Sequence, residues 1–181
     1  MPRGYVKLFQ YGSNMNPTRL NAPQRLDGRA KSIGVARLDG WGIRFDLYSV
    51  TNGCAVTDII PARDEYTLGV LYDVPTPFVI ARRGERSRMD KIEGANADGS
   101  GNYERQLIRV TFKSKSVVAI TYVGTPMGRK KFDSKSIGER QVTQGYFANL
   151  EVGAKRFRLP QKYESYLREK AGALRKGAGE P

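Results

Sequence analysis

A turn, a carboxylate and three phenols are the parts of this chain whose types and spacing could do chemistry. The turn follows an apolar run and reads Leu8-Phe9-Gln10-Tyr11-Gly12-Ser13-Asn14-Met15-Asn16-Pro17. Gly12 lets backbone come close to a ligand. The amides after it, with a helix predicted to start at Asn16-Pro17, form a cradle for a carboxylate or a developing oxyanion. Turns of this kind also serve as plain connectors between a strand and a helix. The carboxylate is Glu93, at the end of a predicted helix just before Gly94. There the negative end of the helix dipole disfavours its charged form. Met89, one turn back, adds an apolar neighbour, and both effects push the group towards the range of a general acid or base. The ordinary alternative is a solvated glutamate at a helix end. The phenols are Tyr11, Tyr103 and Tyr146; each can donate a hydrogen bond, and each is equally suited to packing.

Composition removes competing chemistries. The 181 residues contain no histidine and one cysteine, Cys54. Serine and cysteine mechanisms that need an imidazole are therefore excluded, as are histidine-ligated metal sites. Cys54 can close no disulfide within the chain and lies in a strand-like run, where a small buried hydrophobe is expected. Any catalysis must draw on carboxylates, tyrosines, hydroxyls, lysines or backbone amides, and no cofactor is expected. The formal net charge is +13, which permits an acidic partner such as nucleic acid or an anionic substrate. The basic residues are spread out, with denser stretches at 124–143 and 155–176, and a solvated basic surface accounts for them as well. No apolar run approaches the ~18 residues of a membrane span. The first residues hold no apolar h-region of roughly 7–15 residues, so the expected location is the cytoplasm, without a membrane.

These groups need elements to hold them. Tyr5–Gln10 is the first expected strand. Between about Ala30 and Val74 the pattern is β, with short strands at Ser32–Leu38, Gly42–Leu47, Cys54–Pro61 and Thr67–Val74. Thr76-Pro77 opens a helix expected to run to Glu93, weakened in its middle by Gly84. Residues 94–102 are a polar, glycine-rich loop. Strands Tyr103–Phe112 and Val117–Val123 follow, then an irregular, mobile, basic stretch over 124–143 and a helix near Gly145–Leu150. The last helix, 160–176, carries Tyr163, Leu167, Ala171 and Leu174 at helical spacing and is expected to pack on the body. Residues 177–181 read as a flexible tail. The sum is one α+β domain over 1–176, mostly antiparallel strands in a closed or nearly closed barrel with flanking helices.

In this order the pieces resemble the γ-glutamylcyclotransferase family, which includes AIG2-like and γ-glutamylamine cyclotransferase-like proteins. The resemblance rests on Tyr11-Gly12-Ser13-Asn14, on Gly53-Cys54-Ala55-Val56 and Gly69-Val70-Leu71-Tyr72, and on Met89-Asp90-Lys91-Ile92-Glu93-Gly94. Gly101-Asn102-Tyr103, Tyr146, Gly153-Ala154 and Leu159-Pro160-Gln161-Lys162-Tyr163 complete it. It spans about Tyr5 to Leu167. The Tyr-Gly-Ser-Asn form of the turn sets the chain apart from the glutathione-specific ChaC-like branch.

The resemblance implies a lyase- or transferase-type cyclisation. The substrate's own α-amine attacks its γ-carbonyl and releases 5-oxoproline and an amine or amino acid. It implies Glu93 as the catalytic carboxylate, Gln10, Tyr11, Gly12, Ser13 and Asn14 around the glutamyl group, Tyr146 lining the pocket, and Tyr103 as a weaker carry-over that positions the carboxylate. Intramolecular ring closure suits a chain without histidine, because well-oriented attack of this kind lowers a barrier by ~7–11 kcal/mol. The competing expectation is a silent family member whose basic surface binds nucleic acid or an acidic partner.

Overall fold

The β-branched and aromatic runs of the first half form two strands far longer than the punctuation predicts. The computed structural model describes residues 4–176. β1 is Tyr5–Gln10, β2 is Lys31–Ser49 and β3 is Cys54–Pro75. The four short strands expected between 32 and 74 are thus two, paired antiparallel over their whole length. Register shifts between Ser32 and Gly34, Asp39 and Trp41, and Arg44 and Leu47 mark the irregularities. Bulges of this kind bend a strand without ending it, which is why the glycines did not terminate pairing. β4 (Tyr103–Phe112) and β5 (Lys115–Gly124) match the two expected strands and form an antiparallel hairpin.

The five strands close into a barrel in the order β1-β3-β2-β4-β5. Closure rests on narrow seams: β1 runs parallel to β5 at Leu8 and Ile120, and β2 meets β4 at Arg37 and Thr111. Leu8, Ile43, Leu47, Ile59, Val70 and Leu71 are fully buried, on the two faces of the sheet. Each such side chain contributes ~1.5–3 kcal/mol of transfer free energy. With the helices around the sheet, this is the α+β barrel architecture expected from the sequence.

The helices differ more from expectation. The single helix expected from Thr76 to Glu93 is instead two short ones, α2 (Thr76–Val79) and α3 (Arg88–Glu93). α2 ends where Ile80 turns extended, and Gly84, at φ +85°, takes a left-handed conformation in the turn beyond it. α3 is restarted by a capping box: Ser87 Oγ accepts from the Asp90 amide, and the Asp90 carboxylate accepts from the Ser87 amide. Residues 124–143, expected to be irregular, contain α4 (Pro126–Asp133), capped by Thr125. α1 (Pro17–Leu20) begins at the Asn16-Pro17 pair as read, with Asn16 Oδ1 accepting from the Thr18 amide. α5 (Gln144–Arg156) outruns the expected Gly145–Leu150, and α6 (Gln161–Lys176) lies on β3, where Tyr163 Oη accepts from the Leu68 amide at 3.0 Å. Tyr163, Leu167 and Ala171 are buried as their spacing predicts. The side chain of Leu174 and the expected tail 177–181 lie outside the described residues. Among the described residues no helix is long and apolar enough to cross a membrane.

Candidate active site

Where β1 leaves the sheet, Gly12 lies against β3 so tightly that a Cβ on it would sit 2.2 Å from Thr57 Oγ1. No other residue type leaves the backbone that close. The 3₁₀ turn Ser13–Met15 follows at once, so the amides at its start have no intrahelical acceptor. α5 packs behind this turn: a Cβ on Gly153 would lie 2.6 Å from Met15 Cβ. The two glycines let the turn be gripped from both sides.

α3 delivers Glu93 to the same place. Asn14 Nδ2 donates to Glu93 Oε1 at 2.8 Å, joining residues 79 apart in the chain. Asn14 Oδ1 accepts from Arg25 Nη2 at 2.7 Å. A single amide therefore links the carboxylate to a guanidinium. Glu93 keeps part of its surface open to a cavity, while its carboxyl is enclosed by protein atoms. Burial raises its pKa above the ordinary carboxylate value, and Arg25, the Asn14 hydrogen bond, Arg19 and Gln10 act in the opposite sense. The dominant cause is desolvation.

The cavity has a volume of about 260 Å³. Gln10, Tyr11, Gly12, Ser13, Asn14, Glu93, Tyr103 and Tyr146 all line it. The sequence-predicted residues, drawn from β1, the turn, α3, β4 and α5, thus share one space. The phenols are engaged with backbone. Tyr11 Oη donates to the Tyr122 carbonyl at 2.6 Å, and Tyr103 Oη donates to the Thr57 carbonyl rather than to Glu93. Tyr146 Oη accepts from the Thr57 amide at 3.0 Å and lies 2.9 Å from Thr57 Oγ1. Burial raises the pKa of all three, which keeps them neutral.

Several lining residues were not singled out from the sequence. Thr57 is the hub of the tyrosine contacts but sits in an apolar strand run with no local signal. Arg19 and Arg25 lie in and after α1, and Asn52 on the β2–β3 turn. Beneath Thr57, the buried Asp58 carboxylate accepts from the Gly124 and Ile59 amides at 2.6 and 2.7 Å and pairs with Arg129 at 2.5 Å. Arg129 comes from the basic stretch 124–143 expected to be irregular and mobile. Among the described residues no group of three or more Cys, Asp or Glu side chains is placed to hold a metal ion. A buried, desolvated carboxyl beside a turn with free amides can move a proton next to a stabilised oxyanion.

Comparison with known proteins bears on the family and the fold. A family described as "Gamma-glutamyl cyclotransferase, AIG2-like" matches residues 8–147. No curated protein matches the chain. Among solved structures, a human protein described as uncharacterized is 20% identical with a TM-score of 0.72, over 92% of this chain and 88% of that one. A protein described as gamma-glutamyl cyclotransferase is 20% identical with a TM-score of 0.69, over 91% and 86%. A yeast gamma-glutamyl cyclotransferase described as specific to glutathione is 15% identical with a TM-score of 0.54, over 94% and 99%. At these identities the solved structures attest the fold.

Proposed function

Because the chain belongs to the AIG2-like γ-glutamyl cyclotransferase family, we propose that it cleaves a γ-glutamyl amide by ring closure, releasing 5-oxoproline and an amine. The observation that carries this reading is the buried Glu93 carboxyl, tied to the turn through Asn14 inside the cavity. The substrate enters with its α-ammonium at Glu93. Glu93 accepts one proton, and the free α-amine attacks the γ-carbonyl carbon. The N–C bond closes a five-membered ring, and the carbonyl oxygen becomes an oxyanion. The amides of the Gly12–Asn14 turn stabilise that charge; preorganised donors of this kind are worth ~2.7–4 kcal/mol each. As the oxyanion collapses, the bond to the departing nitrogen breaks and Glu93 returns the proton to it, then relays the surplus proton of the ring nitrogen to the same amine, which leaves as an ammonium beside a neutral lactam. The carboxyl ends the cycle as it began.

A raised pKa serves both halves of this cycle, since the group must take a proton readily and then give it up. Tyr103 and Tyr146 hold Thr57 in place through the bonds described above. They thereby shape the wall against which the glutamyl chain folds. The steps draw only on groups of the chain and the substrate. The test is incubation with a panel of γ-glutamyl amino acids and γ-glutamyl amines, assayed for 5-oxoproline, beside the Glu93→Gln variant. Product from the wild type and not from the variant is expected. Equal product from both would remove Glu93 from the mechanism, and none from either would favour the reading as a binding module.

A further inference from the structure

The cavity carries more positive charge than a γ-glutamyl head can use. Arg19, Arg25 and Lys91 line it, and Glu93 is its only carboxylate among the described residues. A γ-glutamyl group brings one ammonium and one carboxylate and cancels none of that excess. The arginines are also under-satisfied. The Nε atoms of both are buried without a hydrogen-bond partner. Neither guanidinium is in an ion pair among the described residues. Unpaired buried donors cost free energy unless something else accepts from them.

The two arginines are placed differently. Arg25 is joined to Glu93 through Asn14, and its chain segment is pinned because Arg88 donates to the Arg25 and Pro23 carbonyls. A head group whose α-ammonium meets Glu93 has its α-carboxylate on the same carbon, within reach of Arg25 and the turn. Arg19 instead reaches to the β2–β3 turn, where its Nη2 meets Asn52 Oδ1 at 3.4 Å, a long contact that an acceptor can replace. It lacks the hydrogen-bonded link to Glu93 that Asn14 gives Arg25. Lys91, exposed on α3, stands on the same rim.

Resting on the reading of this cavity as a γ-glutamyl amide site, we infer that Arg19 is a specificity-determining residue that receives an anionic group carried by the leaving amine. The preferred substrates are then γ-glutamyl amides of amino acids or of other anionic amines, over those of neutral alkylamines. The shared chemistry is an anion near the departing nitrogen, which a carboxylate or a phosphonate can supply.

The experiment compares γ-glutamyl-alanine with γ-glutamyl-ethylamine, identical but for the carboxylate, and with the amide of 1-aminoethylphosphonate. The wild type is expected to favour an anionic member in kcat/KM by about ten- to hundredfold, the span of a charge-assisted hydrogen bond, carried by KM. Better use of the phosphonate than of the alanine amide assigns the subsite to phosphate-like groups. Arg19→Gln should bring the ratio near one and Arg19→Lys should keep part of it. Lys115→Gln, which changes the same charge at the start of β5 outside the cavity, should leave the ratio intact. Equal kcat/KM for the matched pair, or an Arg19→Gln loss that strikes both alike, overturns the inference. If no amide is turned over, calorimetric titration of the same pair decides. Tighter binding of the alanine amide that Arg19→Gln abolishes upholds the subsite while the reaction falls, and equal or absent binding overturns the subsite.

Discussion

Glu93 concentrates the energetics of the site in one side chain. Gln in its place preserves a partner for Asn14 but cannot carry a proton. Glu93→Gln should therefore lower kcat by ~10²–10⁴-fold, the usual share of general acid–base catalysis, with thermal unfolding close to wild type. The acidic limb of the kcat/KM profile should lie above the ordinary glutamate value of about 4.3, because burial raises the pKa. Arg25 opposes that shift by favouring the charged form. Removing it in Arg25→Gln should move the acidic limb to higher pH, and a limb that stays put would show that Arg25 does not act on Glu93. Tyr146→Phe strips an acceptor from the buried Thr57 amide, and should raise KM more than it lowers kcat. Residue types were legible where the chain spells a rare string, as at Tyr11-Gly12-Ser13-Asn14 and Glu93-Gly94. Arg19 and Arg25 were not, since nothing local separates two cavity arginines from the other basic residues among the 31. Thr57 was hidden because a hydroxyl in an apolar strand reads as packing.

At the scale of elements, the site depends on where α3 begins. The helix has six residues, too short to persist on intrinsic propensity, so its capping box and the buried Met89 hold it. Ser87→Ala removes the acceptor for the Asp90 amide and should cost ~0.5–2 kcal/mol. For a chain of this size that is a fall of roughly 1–8 °C in Tm, read by calorimetry. Activity should fall with it, because the helix that frays is the one presenting Glu93. The break was visible as a weakness at Gly84, yet the opening at Thr76-Pro77 and the stop at Gly94 still suggested one helix. The capping box at Ser87 and Asp90 was the missed signal. The merging of four strands into β2 and β3 has the opposite cause: the break between Asp39 and Trp41 became a bulge, since the pairing of β2 with β3 outweighed local preference. α5 grips the turn through Gly153. Gly153→Val, whose Cβ alone would meet Met15, should displace Asn14 and raise KM by more than its stability loss explains.

Across the whole molecule, several of the 31 basic residues are committed to the fold. Arg105 pairs with Asp90, Arg44 and Lys170 with Glu65, and Arg129 with Asp58 and Asp46. A count of basic residues could not separate such anchors from a surface patch, so the inward turn of Arg129 was illegible. That cluster also sets a pH dependence. Asp46 has one carboxylate oxygen buried without a partner, and burial, then the charge of Asp58, push its pKa up to about 6 against the opposing Arg129. Because the folded value lies above the unfolded one of 3.8, the folded protein holds this proton more tightly. Its contribution to stability is full below the unfolded value and is lost as pH rises through about 6. Rising net charge on acidification works the other way by self-repulsion, so the wild-type curve alone mixes the two. Asp46→Asn keeps the background charge nearly constant while removing the titration. The Tm difference, variant minus wild type, should therefore grow between about pH 4 and pH 7 and level off above. A difference that is flat across that range would mean that Asp46 titrates normally and that Arg129 already satisfies both carboxylates.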